Sequence, residues 1–99
     1  MNWEDTLIKI QNDVPPGKVT TYKEIALWAF GNPMGTQAVT AMLKAAVSAE
    51  PTNALLTNRV IPESGKLADP NGQVSQLLDE GVPMHNGVVD MKRASIVRF

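Results

Sequence analysis

Apolar residues near the start of the chain fall on one helical face: Trp3, Leu7, Ile10 and Val14 are separated by four, three and four positions. Asn2 precedes them as an N-cap, and Glu4 and Asp5 sit in the first turn, where the helix dipole favours acids. Pro15-Pro16-Gly17 must end this helix, since neither proline can continue it. A second helix opens at Thr21-Tyr22-Lys23-Glu24, which reads as a capping box. The Thr21 hydroxyl accepts from the Glu24 amide, and the Glu24 carboxylate reaches back to the Thr21 N–H. Ile25, Ala26, Leu27, Ala29 and Phe30 supply the apolar positions, and Gly31 stands where a left-handed C-cap belongs. Asn32-Pro33 predicts a third helix, with Asn32 as N-cap and proline at the first helical position. Ala38, Val39, Met42, Ala45 and Ala46 carry it to about Ser48. Two helices joined by a short glycine-containing turn outline a helix-turn-helix.

Past Pro51 the helical period is lost, and residues 53–59 read as an ordered loop. Arg59-Val60-Ile61, the turn Pro62-Glu63-Ser64-Gly65 and Lys66-Leu67-Ala68 resemble a small hairpin. Asp69-Pro70 opens a helix carrying Val74, Leu77 and Leu78 and stopped by Gly81. A second hairpin is expected around Asn86-Gly87, with Val82 to Met84 on one side and Val88-Val89 on the other. The last eight residues are basic and apolar and give no clear conformational signal. The expectation is a single domain over residues 1–99, mainly α with small β hairpins. Trp3 and Trp28 fit as packing residues at helical spacings, and His85 as a turn residue.

Composition removes whole classes of chemistry. With no cysteine, the chain has no disulfide, no thiolate metal site and no thiol nucleophile. A single histidine excludes a multi-histidine metal centre, so neither metal nor cofactor is expected. Nine Lys+Arg against ten Asp+Glu give a formal net charge of −1, so any binding to nucleic acid must rest on locally concentrated positive charge. No stretch approaches the roughly 18 apolar residues that span a bilayer, and Asn2-Trp3-Glu4-Asp5 lacks an apolar signal core. A cytoplasmic monomer without membrane contact is the expectation.

The order of several short motifs adds a family resemblance. Val14-Pro15-Pro16-Gly17-Lys18-Val19-Thr20-Thr21-Tyr22-Lys23-Glu24-Ile25-Ala26 resembles the opening of the DNA-binding domain of O6-alkylguanine-DNA alkyltransferases. Gly31-Asn32-Pro33 with Ala38-Val39 is similar to its turn and recognition helix. Leu56-Thr57-Asn58-Arg59-Val60-Ile61 falls where that family carries Pro-Cys-His-Arg-Val, and Ser64-Gly65-Lys66-Leu67 and Leu77-Leu78-Asp79-Glu80-Gly81-Val82 resemble the segments that follow. The likeness covers nearly the whole chain and is closer to the alkyltransferase-like proteins, which lack the cysteine. It implies a winged helix-turn-helix-like domain of the alkyltransferase C-terminal type.

Departures from the motif bear on chemistry. The alkyl acceptor is a thiolate generated by a neighbouring histidine. Thr57 replaces the cysteine, Asn58 the histidine and Leu56 the proline, while Glu80 keeps its place. A threonine hydroxyl ionises far above neutral pH and asparagine is no base, so no catalytic residue and no alkyl transfer is expected. The resemblance implies instead a non-enzymatic sensor of O6-alkylguanine-type lesions. It would bind double-stranded DNA from the minor groove, flip the damaged nucleotide and hand it to nucleotide excision repair proteins. In that reading Tyr22, Thr57 and Asn58 form the lesion pocket, and Gln37 replaces an arginine finger that fills the place of the extruded base. Thr36, Thr40 and Lys44 contact the DNA backbone. Arg59 and Glu80 are structural at the pocket.

Plainer readings stand beside these. Tyr22 also fits a half-buried first-turn aromatic, Gln37 a solvated helix residue, Lys44 a scattered surface charge and Glu80 a helix-terminal carboxylate. Two other functions compete. A helix-turn-helix transcription regulator needs bidentate base readers on its recognition helix, and only Gln37 qualifies. A degenerate family member acting as a protein-interaction module needs no DNA contacts at all.

Overall fold

The computed structural model describes residues 2–68 and 70–99. Helix α1 (Trp3–Asp13) starts as its sequence predicts, with Asn2 as N-cap. The Asp5 amide donates to Asn2 Oδ1 at 3.0 Å, and the Asn2 amide donates back to the Asp5 carboxylate at 3.4 Å. Leu7, Ile10 and Val14 are buried along its inner face. Asn2→Ala removes the side-chain cap on the Asp5 amide, while the backbone N–H at position 2 still donates to Asp5, and should cost about 1 kcal/mol, read as a lower urea midpoint with unchanged slope.

The chain then enters a strand that the sequence reading lacks. β1 (Lys18–Thr21) places the β-branched Val19, Thr20 and Thr21 wholly inside the protein. It is the middle of a three-stranded parallel sheet, with one short strand on either side. β2 (Val60–Ile61) pairs Val60 with Thr20 and Ile61 with Thr21, and β5 (Ser95–Ile96) pairs Ser95 with Lys18 and Ile96 with Val19. The hairpin expected between 59–61 and 66–68 therefore does not form. Its turn does close, since the Gly65 amide donates to the Pro62 carbonyl at 3.0 Å. The following segment instead runs beside β4 (Val88–Val89): Val89 N–H donates to the Gly65 carbonyl at 2.8 Å, and Lys66 forms an antiparallel bridge with Val88. Gly65 has φ +79°, and a Cβ there would stand 2.5 Å from the Val89 carbonyl oxygen, so this close approach requires glycine. The hairpin around Asn86-Gly87 is present: β3 (Met84–His85) pairs with β4, and φ is positive at both turn residues, 52° and 75°.

Helix α2 (Tyr22–Phe30) is capped by the Thr21 hydroxyl, which accepts from the Glu24 amide at 3.1 Å, and stops at Gly31 with φ 68°. The reciprocal half of the capping box is absent. The Glu24 carboxylate accepts instead from the Phe99 amide at 2.9 Å and from Arg98 at 3.4 Å, tying the last residues to α2. Helix α3 (Thr36–Ala49) begins three residues later than Asn32-Pro33 predicts. The Asn32 side chain accepts from the Met34 amide at 2.8 Å and so closes a turn rather than starting the helix. Residues 53–59 are not a loop: a 3-10 turn (Pro51–Asn53) leads into α4 (Ala54–Thr57). One turn of helix is too short to show a period. Helix α5 (Gln73–Asp79) starts after Asn71 and Gly72, whose φ values of 60° and 71° prevent a continuous helix from Pro70. Asp69 lies outside the described residues.

The result is a mixed α/β domain, mainly helical, with five α-helices and short strands among the described residues. One apolar cluster (Ile10, Val14, Ile25, Ala26, Val39, Leu43, Val60) lies among α1, α2 and α3. A second (Val19, Ile61, Leu77, Val82, Val89) lies under α5 and the hairpin. The two residues of β2 divide between the clusters, Val60 in the first and Ile61 in the second, and β1 adds Val19 to the second, so the sheet joins the two halves. Among the described residues no helix is long and apolar enough to cross a membrane.

Candidate functional site

Between α3 and α4 lies a cleft of about 380 Å³, within the range of small-ligand sites. Tyr22 enters it from the first position of α2. Thr40 and Lys44, four apart on α3, share the face that borders it, with Leu43, Val47 and Ser48. Thr57 and Asn58 come from the end of α4, Asn71 from the turn before α5 and Gln73 from its first position. Five of the sequence-predicted site residues thus converge here: Tyr22, Thr40, Lys44, Thr57 and Asn58. Thr36 lies outside it, on a neighbouring groove of about 310 Å³ that also includes Tyr22 and Thr40. Gln37 is exposed in the first turn of α3 and lines neither space.

The cleft residues differ in how they are held. Thr57 is 8% exposed, and its hydroxyl has no hydrogen-bond partner among the described residues. Thr40 donates to the Thr36 carbonyl one turn back at 3.0 Å. The Tyr22 phenol is half-buried, and burial pushes its pKa above the ordinary 10.0. Lys44 is exposed and forms no ion pair among the described residues.

Behind the cleft runs a continuous polar network. Arg59 Nε and Nη2 donate to the two oxygens of Glu80 at 3.0 and 2.9 Å, a forked pair, while Nη1 reaches the Val14 carbonyl at 3.3 Å. Gln76 Nε2 donates to Glu80 at 3.1 Å and to the Leu55 carbonyl at 2.8 Å. Its oxygen accepts from Asn58 Nδ2 at 2.9 Å. Burial acts to raise the Glu80 pKa, but the Arg59 and Gln76 hydrogen bonds, the Arg59 charge and the Gly17 amide outweigh it and hold the carboxyl below its usual range. Arg59 and Glu80 thus lie outside the cleft lining and fasten α5 to the loop before β2 and to the end of α1.

No family model and no curated protein sequence matches this chain.

Sequence reasoning missed Asn71, Gln73 and Gln76. Gln76 and Glu80 stand four apart on one helix, a spacing that was readable; nothing local connects Gln73 or Asn71 with Asn58. The two tryptophans lie away from the cleft. Trp28 meets Phe99 edge-on at 6.4 Å, with the Lys9 ammonium 5.7 Å from its ring centre. His85 is exposed on β3.

Proposed function

We propose that this chain is an alkyltransferase-like DNA-damage sensor that binds O6-alkylguanine-type lesions in double-stranded DNA without chemistry and flags them for nucleotide excision repair. In this reading α2 and α3 act as a winged helix-turn-helix-type unit docked on the minor groove. The damaged nucleotide is flipped into the cleft beside Tyr22, Thr57 and Asn58, Gln37 takes the vacated place in the stack, and Thr36, Thr40 and Lys44 follow the backbone. One observation carries the reading: residues from α2, α3 and α4 that match the resemblance line a single cleft of about 380 Å³. Lys18, Lys23 and Lys66, which like Lys44 have no ion pair among the described residues, add charge for phosphates.

A fluorescence titration with O6-methylguanine and matched guanine duplexes should show tighter binding to the lesion and no alkyl transfer. With three or four phosphates neutralised, log K should fall against log salt with a slope of about −3 to −4. Equal affinity for both duplexes would sink the sensor reading. A second reading, a protein-interaction module, draws on the exposure of Met34 (84%), Leu55 (59%) and Leu78 (54%). Failure to shift any duplex at low salt would favour it.

A further inference from the structure

Two side-chain amides in the cleft lining have their orientations fixed from behind. Gln73 is 5% exposed, and its Nε2 donates to the backbone carbonyls of Asn58 at 2.8 Å and Val60 at 3.2 Å. Both NH₂ hydrogens are thereby used, and since carbonyls only accept, the amide cannot be turned over without losing both bonds. Asn58 is 4% exposed and is held the same way, Nδ2 donating to the Asn71 carbonyl at 3.2 Å and to Gln76 Oε1 at 2.9 Å. Gln76 in turn has no freedom, because its own NH₂ faces two pure acceptors, the Leu55 carbonyl and the Glu80 carboxylate. The arginine-paired Glu80 therefore sets Gln76, and Gln76 sets Asn58.

What remains is Asn58 Oδ1 and Gln73 Oε1, neither with a partner among the described residues. No sealed side-chain nitrogen or oxygen among those residues lacks a partner, so both oxygens keep an opening to solvent, and both residues line the cleft. We infer that the cleft floor is an acceptor surface that selects a base edge carrying N–H donors, with Asn58 and Gln73 as the specificity-determining residues. A ring presenting only acceptors there would leave two nearly buried oxygens facing lone pairs, with water excluded. The inference rests on the sensor reading and narrows it. Alkylation at O6 removes the ring N1–H of guanine, so the exocyclic 2-amino group is the one N–H donor left on the lesion's edge. That amine is the group the floor would hold.

The test compares duplexes carrying O6-methylguanine and O6-methylhypoxanthine, which differ only in that amine, with guanine and hypoxanthine duplexes as undamaged counterparts. The unaltered protein should bind the amine-bearing lesion about tenfold more tightly. Loss of the amine also weakens pairing in the duplex and eases flipping, which acts in the opposite direction and cannot imitate the result. In Asn58→Leu the ratio should move toward one. Because the duplex comparison uses the unaltered protein, a variant that fails to fold does not decide it. Preference for both methylated bases over their undamaged counterparts, but with equal affinity for the two, overturns the acceptor floor and leaves the sensor reading standing. No preference for methylated bases, with an amine dependence that persists between guanine and hypoxanthine, does the reverse. Absence of binding to any duplex overturns both.

Discussion

Arg59→Ala should destabilise the domain by about 4 kcal/mol, because it leaves a largely enclosed carboxylate without its cation. The two side chains are only 11% and 14% exposed, and the arginine makes three bonds, two to Glu80 and one to the Val14 carbonyl. Against the roughly 5–15 kcal/mol that holds a domain together, this loss should lower the melting temperature by more than about 15 °C. Arg59→Lys should recover only part of it, since an ammonium cannot reproduce the fork. The same pair makes stability depend on acidity. The folded Glu80 pKa lies below its ordinary 4.5, so its contribution is fully present above that value and disappears as pH falls through the folded one. Urea midpoints of the unaltered protein should accordingly fall more steeply below about pH 4.5 than those of Glu80→Gln. Parallel pH profiles for the two proteins would remove Glu80 as the cause.

That sensitivity follows from where the pair sits. Glu80 caps the C-terminus of α5, Arg59 precedes β2, and Val14 closes α1, so one ion pair and the Arg59 bond to Val14 tie three segments together. The fold was legible in the chain wherever its cause is local. The Asn2 and Thr21 caps, the Gly31 stop and the Asn86-Gly87 turn each depend on a few adjacent residues. The parallel sheet was not legible, because β2 and β5 are two residues long and acquire strand character only by pairing with β1, 40 and 77 positions away. For the same reason Glu24, which looks like half of a capping box, is drawn to the far end of the chain. The site divides in the same manner. Thr40 and Lys44 follow from helical spacing, and Thr57 and Asn58 from motif order. Gln73 and Gln76 emerge only once α5 is folded against α4.

On the sensor reading, Tyr22→Ala should weaken binding to the O6-methylguanine duplex about 30-fold and erase the preference over guanine. An aromatic side chain that stacks on or walls in a base is worth about 1–3 kcal/mol, and 2 kcal/mol corresponds to that factor. The position suits the role. Tyr22 is the first residue of α2, its backbone is fixed between β1 and the Thr21 cap, and its side chain borders both the cleft and the groove beside Thr36. Its ring also packs against the first apolar cluster, so thermal unfolding must be followed alongside binding. Tyr22→Phe separates the two contributions: the ring remains, and only the hydroxyl, unpartnered among the described residues, is lost. A several-fold loss of affinity with unchanged melting would assign the hydroxyl to the DNA. Since burial raises the phenol pKa above 10.0, the hydroxyl stays a donor throughout the neutral and mildly alkaline range. The Tyr22 contribution should therefore be flat between about pH 7 and pH 9. Lesion binding by Tyr22→Ala equal to that of the unaltered protein would take Tyr22 out of the pocket and leave the resemblance without its most specific contact.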